Sequence, residues 1–383
     1  RGLGDVYKRQ EPFTIIGEHN KDEAIRATST IDKVEPKEVK FNNPPTSADM
    51  LELSGSVYIQ KSQMGGGSPV IRGFEANRVL LVVDGVRMNN AIYRSGHLQN
   101  AITIDNSIIE ETDIIYGSNS VIYGSDALGG VVDFKTKKPK FRNETDTINN
   151  NSADAYARYS SANQERTFHF DFNLGWKKVA SVTSVTFSEF DDLYMGAVQD
   201  PDYPEFGVVK YYAVRQNSRD TMLRKEDFTK QIGTAYNQRD ILQKFSFKLS
   251  DNVLLNLNTQ YSSSSDIPRY DQLSDLDNQN QAKWIEWNYG PQNRFLTSLG
   301  AQINSENKFF NKASILGHFQ RIDEDRITRR FQDSLRTTRE EDVSVFGLNV
   351  DFIKDDNPKS QWYYGIEVLH NIVESGAYAE DIN

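Results

Sequence analysis

The chain has five histidines, and one of them, His97, lies in a segment whose sequence does not predict a core element. It lies in segment 93–98 (Tyr-Arg-Ser-Gly-His-Leu), which follows an Asp84-Gly85 turn and is polar, without the periodicity of a core element. One ring nitrogen of a neutral imidazole can coordinate a metal while a hydrogen bond orients the other. A plain surface histidine in a loop is the alternative interpretation, and the residues alone leave both open.

No arrangement of residues predicts catalysis. Gly65-Gly66-Gly67 suggests a phosphate-binding loop, but no Gly-Lys-Ser/Thr follows and no dinucleotide-binding fingerprint is present. Carboxylates are plentiful, yet none is spaced with a histidine and a nucleophile as a catalytic group would be. The chain has no cysteine, which excludes disulfide bonds and thiolate metal sites. We therefore expect a protein that is not an enzyme, and we interpret the three glycines as a flexible turn.

The composition indicates a polar interior. A net charge of −10 over 383 residues argues against nucleic acid as a partner. Hydrophobic residues make up only 37% of the chain, yet aromatic residues reach 11%, which favours a barrel over a thick apolar core. No segment approaches the ~20 consecutive apolar residues of a membrane-spanning helix, so any crossing must be made by strands. Residues 1–10 (RGLGDVYKRQ) resemble translated adaptor sequence and lack the apolar core of a signal peptide, so they do not enter the fold prediction.

Segment 64–134 contains the short elements that position His97. The run Val79 to Val83 has no polar residue at alternate positions, as is typical of a strand covered on both faces. Asp84-Gly85 follows it directly and predicts a turn, because glycine adopts a positive φ without steric cost. Upstream, segment 46–55 (TSADMLELSG) predicts a short helix with Thr46 or Ser47 as its N-cap. These elements predict a compact mixed α/β domain.

The same segment resembles the plug domain of TonB-dependent outer-membrane receptors. The matching residues come in the family's order and at roughly its spacing: Ile71-Arg72-Gly73, Val83-Asp84-Gly85-Val86, Glu111 to Tyr116, and Tyr123-Gly124-Ser125-Asp126-Ala127-Leu128-Gly129-Gly130-Val131-Val132. Tyr116-Gly117-Ser118 departs from the family's frequent Arg-Gly-Pro, which we interpret as variation within the family. By motif the resemblance covers about residues 46–140.

The resemblance implies a role for two further segments. In the haem-transporting branch of this family, a Gly-His-Leu sequence at the position of Gly96-His97-Leu98 in the plug supplies an axial haem ligand. The resemblance therefore makes His97 the candidate ligand of haem iron. The family also implies an extended segment ahead of the plug that pairs with a strand of the TonB energy-coupling protein. Phe13, Thr14, Ile15 and Ile16 form a short β-prone island in the polar arm 11–45 and are the candidates. An apolar patch in a linker is the alternative.

After residue 150 apolar and polar residues alternate strictly. Phe168, Phe170 and Phe172 interleave with His169 and Asp171, for example. We predict nine strands, near 154–160, 166–174, 178–189, 241–250, 253–262, 294–303, 310–321, 342–353 and 361–372. Tight connections after the even-numbered strands alternate with long ones at 190–240, 263–293 and 322–341, which is the pattern of an outer-membrane barrel and is unusual in a soluble sandwich.

The predicted fold is therefore an α+β plug domain followed by an all-β antiparallel transmembrane barrel. The domains are an arm at 1–45, the plug at 46–140 and an N-terminal part of the barrel at 150–383. The resembled receptors close with 22 strands, and a lumen that holds a folded plug needs about that many. We therefore expect a truncated barrel of about nine strands, with any second haem ligand outside this chain.

The predicted function is TonB-dependent uptake of haem or a haem protein across the outer membrane of a Gram-negative bacterium. Haem would be the cargo and not a permanent cofactor, and the expected partners are TonB and outer-membrane lipid. The alternatives are a ferric-siderophore receptor, which needs no plug histidine, and an outer-membrane binding protein that imports nothing. Tyr211, Tyr212, Trp284 and Trp287 in the loops could contact a ligand but more often would pack loops or form an aromatic girdle. We assign His169, His318 and His370 to lumen or interface positions and His19 to the arm.

Overall fold

A computed structural model describes residues 30–92, 101–117, 120–124, 126–142, 151–357 and 360–382. Its N-terminal domain contains seven strands: β1 (Ile31–Val34), β2 (Val57–Gln60), β3 (Ser68–Ile71), β4 (Val79–Val83), β5 (Val86–Arg87), β6 (Ile109–Tyr116) and β7 (Gly130–Thr136). Its helices are α1 (Pro36–Asn42), α2 (Ser47–Glu52) and α3 (Ser120–Tyr123), with 3₁₀ turns at Ala76–Arg78, Ala101–Thr103 and Asn106–Ile108. The mixed α/β domain expected from the sequence is confirmed.

The core of this domain is a five-stranded sheet in the order β1-β6-β7-β4-β5. All five residues of β4 are buried, as its unbroken apolar sequence predicted, and β4 runs parallel to β7. The predicted helix is α2, and the side chain of its N-cap Thr46 accepts a hydrogen bond from the backbone N–H of Asp49. No helix in the described ranges combines the length and the apolar character that a membrane crossing requires.

The structure places part of the expected arm in this domain. Residues 31–42 were assigned to the arm on their polar composition, but β1 pairs with β6 through four residue pairs, from Ile31 with Ile115 to Val34 with Thr112. Val34 is buried in the main core. A single edge strand buries little apolar surface, so its sequence carries too few apolar residues to be distinguished from a linker.

The rest of the chain forms β8 (Ser152–Ser160), β9 (Glu165–Gly175), β10 (Val179–Phe190), β11 (Leu193–Tyr194), β12 (Tyr211–Gln216), β13 (Arg219–Arg224), β14 (Lys230–Gln231), β15 (Tyr236–Ser250), β16 (Val253–Ser264), β17 (Ile267–Pro268), α4 (Tyr270–Leu273), β18 (Trp284–Asn304), β19 (Lys312–Arg330), β20 (Leu335–Asn357) and β21 (Ser360–Asp381). Nine of these strands form one antiparallel meander, in the order β21-β20-β19-β18-β16-β15-β10-β9-β8, with β17 added beside β18. We call this meander the wall. Its nine long strands confirm the predicted number and order.

The wall turns its polar face towards the N-terminal domain. Thr167, His169 and Asp171 of β9 are at most 5% exposed, whereas Phe168 is 51% exposed. The described residues of the N-terminal domain contact side chains from both ends of the wall, from Tyr156 on β8 to Glu367 on β21. A sheet that touches one compact domain along its whole width must curve around it. Because the face towards the domain is the polar one, the predicted arrangement of polar residues inside and apolar residues outside is confirmed.

One predicted loop is wrong. Segment 322–341 was expected as a long connection, but β19 and β20 continue through it and are joined across residues 331–334. Their pairing runs without a shift from Lys312 with Ile353 to Thr328 with Thr337. Charged residues occupy both faces of this part of the hairpin, so no alternation of apolar and polar residues identifies it as strand. β18 also begins ten positions earlier than expected, at Trp284 instead of residue 294, because Gly290-Pro291 interrupts its sequence pattern and its pairing shifts register between Tyr289 and Gln292.

Candidate functional site: the polar interface between the N-terminal domain and the wall

The predicted motif residues build the turns of the N-terminal domain. Arg72 and Gly73 have φ values of 50° and 83° in the turn after β3, and Asp84 and Gly85 have 49° and 81° in the turn between β4 and β5. Two successive positive φ angles are those of a type I′ hairpin turn, for which Asp-Gly is a favoured sequence. The second turn points the Asp84 carboxylate at the wall.

The glycines at the end of the motif allow close packing. A Cβ on Gly129 would lie 2.2 Å from Cβ of Phe74, and one on Gly130 would lie 2.8 Å from the Ile115 carbonyl oxygen. A Cβ on Gly124 would meet the guanidinium of Arg87 at 2.5 Å. Tyr123 packs in the smaller core of the domain, and its carbonyl oxygen accepts a hydrogen bond from Arg87 at 2.8 Å. The motif is therefore structural within the described residues.

Asp84 is the centre of one set of contacts with the wall. Its carboxylate forms an ion pair of 2.9 Å with Lys244 of β15 and accepts hydrogen bonds from Asn258 and Gln260 of β16 at 3.0 and 3.1 Å. Within the N-terminal domain it also accepts from the backbone N–H and the hydroxyl of Thr136, at 2.9 and 2.7 Å. The side chains of Asp84 and Lys244 are 10% and 9% exposed, so the pair depends on each partner for its charge balance.

Arg87 forms a second contact three residues further on. Its guanidinium binds Asp126 inside the N-terminal domain at 2.7 Å and Glu367 of β21 at 3.1 Å. Its carbonyl oxygen accepts a hydrogen bond of 2.9 Å from Gln320 of β19. One short turn thus connects the N-terminal domain to β15, β16, β19 and β21.

A third group of contacts involves the opposite part of the wall. Lys137 at the end of β7 forms an ion pair with Asp171 of β9, and the hydroxyl of Thr186 on β10 donates a hydrogen bond to Asp105. The hydroxyls of Ser107 and Tyr156 share a hydrogen bond. Elsewhere, wall side chains donate to backbone carbonyls of the domain: Gln238 to Ile102, Lys244 to Thr136, Arg294 to Thr103, and Arg158 to Pro44.

Apolar contacts between the two parts are small by comparison. Three clusters cross the interface: Ile92 with Ile322, Val343 and Val345; Ile102 with Phe190, Tyr236 and Ile267; and Ile108 with Val182 and Leu242. Water can replace hydrogen-bonding partners but cannot replace buried apolar contacts. The interface, which we call the polar seat, is therefore held mainly by ion pairs and hydrogen bonds.

The free edge of the domain carries its own ion pairs. Lys33 on β1 binds Glu111 on β6, and Lys135 on β7 binds Asp113 at 2.9 Å. Burial alone raises the pKa of Glu111, but the hydrogen bond from Lys33 and the charge of Lys135 outweigh it and hold that pKa at about 2. Strand β1, which follows the arm, is thus attached by one ladder of backbone hydrogen bonds, by this ionic contact and by the burial of Val34 in the core.

The loop end of the wall contains the predicted aromatic residues. Tyr211, Tyr212 and Trp284 line a cavity of about 230 Å³ together with Lys225 and Tyr270. Trp287 does not line it: this ring is 8% exposed and packs against the guanidinium of Arg269, whose Cζ lies 4.4 Å from the ring centroid. A role for these residues in ligand contact stays a prediction.

Several predicted residues cannot be placed by this structure. His97 and the segment Phe13, Thr14, Ile15 and Ile16 lie outside the described residues, as does His19. His169 and His318 face the N-terminal domain, whereas His370 is exposed on the other side of β21. No group of three or more His, Asp or Glu in the described part of the chain could hold a metal ion.

The sequence did not reveal the residues of the polar seat as a group. The polar face of each wall strand was visible in the alternation, for instance at Asn256, Asn258 and Gln260. The residues of the N-terminal domain that contact this face were not visible. Asp84 was recognised only as a turn residue, and Asp105 and Lys137 lie in segments without periodicity. The signal that could have found Asp84 is its charge next to a glycine turn at the end of a fully apolar strand.

Comparison with known proteins agrees with this architecture. Residues 23–131 match the family model of the TonB-dependent Receptor Plug Domain. The vitamin B12 transporter BtuB of Vibrio vulnificus (strain CMCP6) is 38% identical over 118 residues, which are 30% of this chain and 18% of that protein. The hemin receptor of Yersinia pestis is 28% identical over 166 residues, or 43% and 23% of the two chains.

The solved structure of the copper transporter OprC has the same fold. It superposes with a TM-score of 0.68 at 13% sequence identity, over 92% of this chain and 48% of that one. The matches thus span less than a quarter of the length of these curated relatives and about half of the solved structure. The chain therefore contains, at residues 23–131, a plug domain of the TonB-dependent receptor family, and it has the fold of the solved OprC structure. Its location is accordingly the outer membrane of a Gram-negative bacterium, and members of this family are transporters and not enzymes. The N-terminal domain is the plug.

Proposed function

We propose that the chain is part of an energy-coupled importer whose plug must leave its seat before cargo passes. The polar seat is the observation that carries this proposal. Asp84, Arg87, Asp105 and Lys137 hold the plug to the wall by ion pairs and hydrogen bonds that water can replace once force is applied. A plug bound to the wall by a continuous apolar core would be much harder to move.

The force would enter through the arm. We propose that residues Phe13, Thr14, Ile15 and Ile16 add as a strand to the TonB protein, because β-augmentation needs only an extended backbone and a few β-prone side chains. The first described strand after the arm, β1, is an edge strand paired on one side. A pull on the arm would therefore act first on a strand that pairs with the rest of the sheet on one side only.

We propose haem or a haem protein as the cargo. The support is His97 in a Gly-His-Leu sequence and the similarity to the hemin receptor of Yersinia pestis. The similarity to a vitamin B12 transporter and to a copper transporter indicates that this fold serves different cargoes. The proposal therefore depends on His97, and a ferric siderophore is the alternative cargo.

The His97→Ala variant of the intact receptor should bind haem about tenfold or more weakly, because even residues that only hydrogen-bond to a metal ligand change metal affinity by that factor. Folding should be unchanged, because the polar sequence of segment 93–98 shows no core periodicity and substitutions outside buried contacts change stability little. Haem titration in detergent, followed by absorbance in the Soret region, measures this. His370→Ala, at the exposed wall histidine, is the control and should titrate like the wild type. Identical curves for all three proteins would remove His97 as a ligand, and absence of haem binding by the wild type would favour a siderophore.

A further inference from the structure

A line of four polar side chains crosses from the wall to the plug beside β9. His169 Nε2 lies 2.8 Å from Asp171 Oδ2, and His169 Nδ1 lies 2.7 Å from the Thr186 hydroxyl. That hydroxyl donates a hydrogen bond to Asp105 Oδ2 on the plug. All four residues are at most 7% exposed, so water does not compete for these contacts.

The three contacts in this line each need one hydrogen. A neutral imidazole, one hydroxyl and two carboxylates supply only two, so one further proton is required. A carboxylate only accepts hydrogen bonds, and a neutral imidazole has one N–H. Suppose that His169 is neutral and that its N–H points at Asp171. The single O–H of Thr186 can then donate either to His169 Nδ1 or to Asp105. The contact that it does not serve consists of two facing lone pairs. With both ring nitrogens protonated, His169 donates to Asp171 and to Thr186, and Thr186 donates to Asp105.

The other groups around the line locate the extra proton on the imidazole. Lys137 of the plug pairs with the same Asp171 oxygen, which keeps that carboxylate ionised. The other oxygen of Asp105 accepts the backbone N–H of Ser107 at 2.8 Å, which favours its ionised form.

The neighbouring strands add charge of both signs. On β8, the ring of Tyr156 stacks on His169 with centroids 5.0 Å apart. On β15, Asp240 is the register partner of Thr186 and is 7% exposed. The ion pair of Arg158 with Glu165 lies beyond Thr167 on β8 and β9. A cation at His169 offsets the carboxylates that converge here.

We propose that His169 is a doubly protonated imidazolium when the plug is seated, and that it is a positioning residue which holds Asp105 to the wall through Thr186. Without the extra proton one of the three hydrogen bonds would be a repulsive contact between lone pairs, so the cation itself contributes to the attachment of the plug. The proposal concerns the attachment of the plug and is independent of the cargo.

His318 provides an internal comparison. It also lies on the plug side of the wall, at 7% exposure, but neither ring nitrogen has a hydrogen-bond partner among the described residues. Its ring lies over Gly347 of the neighbouring strand, since a Cβ at that glycine would be 1.9 Å from Nε2. Nothing in these contacts requires a cation, so the two buried histidines should differ in protonation.

Nitrogen NMR of the intact receptor, labelled with ¹⁵N in its histidine rings and reconstituted in lipid, tests the protonation state. At neutral pH the signal that disappears in His169→Gln should be that of a ring with two protonated nitrogens. The signal that disappears in His318→Gln should be that of a neutral ring. A neutral ring signal for His169 would overturn the proposal.

Thiol labelling tests the positioning role. The chain has no cysteine, so Ile108→Cys, which packs against Val182 and Leu242 of the wall, introduces one reporter at the interface. Its labelling rate is normalised to that of an exposed Lys37→Cys reporter. Adding His169→Gln or Thr186→Val should accelerate labelling about tenfold, as expected for a lost charge-assisted hydrogen bond. His318→Gln should keep the parent rate. Equal labelling rates in the His169→Gln and His318→Gln backgrounds would contradict the proposal.

Discussion

Arg329→Met should detach the β12–β13 hairpin from the loop end of the wall. The Arg329 guanidinium binds Asp220 through two hydrogen bonds of 2.7 and 3.1 Å, and both side chains are at most 1% exposed. Arg329 also donates to Glu286 at 3.2 Å and to the Asp333 carbonyl oxygen at 2.8 Å. Removing Arg329 leaves Asp220 with the longer contact to Arg215 of its own hairpin, at 3.4 Å, so the attachment to the wall loses its buried ion pair, which costs about 3–5 kcal/mol.

Trypsin measures this detachment, because the hairpin tip carries Arg219 beside two residues of positive φ, Asn217 and Ser218. Cleavage at the tip should become at least about a hundredfold faster in Arg329→Met, the factor that corresponds to about 3 kcal/mol. Arg166→Met is the matched control, since its ion pair with Glu189 is more than half exposed and contributes at most about 1 kcal/mol. Similar cleavage rates in the two variants would contradict the proposed attachment.

The same contact should depend on pH. Burial raises the pKa of Asp220, but hydrogen bonds from Arg329 and from the backbone of Gln332 outweigh it and lower that pKa below the ordinary value. A lowered pKa stabilises the attachment above the unfolded pKa of about 3.9, and this contribution is lost as pH falls through the folded value. The hairpin should therefore stay protected from cleavage at neutral pH.

Asp84→Asn should loosen the plug by about 3 kcal/mol, the lower end of the cost of breaking a buried ion pair. Asparagine tolerates the positive φ of this turn and keeps one accepting oxygen, so the change removes the charge together with the hydrogen bonds that the replaced oxygen accepted. Lys244, at 7% exposure, then lacks the carboxylate that now lies 2.9 Å away. The urea concentration that exposes the thiol reporter introduced by Ile108→Cys measures the effect.

Two further variants distinguish the loss of the buried ion pair from a general loss of stability. Asp126→Asn removes an ion pair with Arg87 within the plug at a side chain that is 32% exposed, and it should cost less than about 1 kcal/mol. Lys244→Met added to Asp84→Asn removes the uncompensated cation and should recover part of the loss. If the double variant exposes the reporter as readily as Asp84→Asn alone, the ion pair is not what holds the plug.

The sequence predicted those parts of the fold in which apolar and polar side chains alternate or in which the motif of the resembled family occurs. The wall strands were visible because Phe168, Phe170 and Phe172 lie on one face while Thr167, His169 and Asp171 lie on the other. The hairpin of β19 and β20 was missed beyond residue 322, since charged residues lie on both of its faces there and no alternation of apolar and polar residues reports the pairing. Edge strand β1 was missed because it contributes little buried surface.

The polar seat could not be predicted because it joins residues that are far apart in the chain. Asp84 meets Lys244 and Gln260, and Arg87 meets Glu367, across separations that no local pattern reports. The three wall histidines have the same kind of sequence setting, yet His169 is hydrogen-bonded on both nitrogens, His318 has no partner among the described residues, and His370 is exposed. Only the three-dimensional arrangement distinguishes them.

Uptake by the intact receptor without residues Phe13 to Ile16 tests the central claim most directly. A host that lacks other haem receptors would carry the wild type or this deletion, and haem binding and haem uptake by the cells would be measured separately. We predict that the deletion leaves binding unchanged and abolishes uptake, because cargo can still reach the loop end but the plug is no longer pulled from its seat. Uptake that persists in the deletion, or a wild type that binds haem without importing it, would contradict an energy-coupled importer.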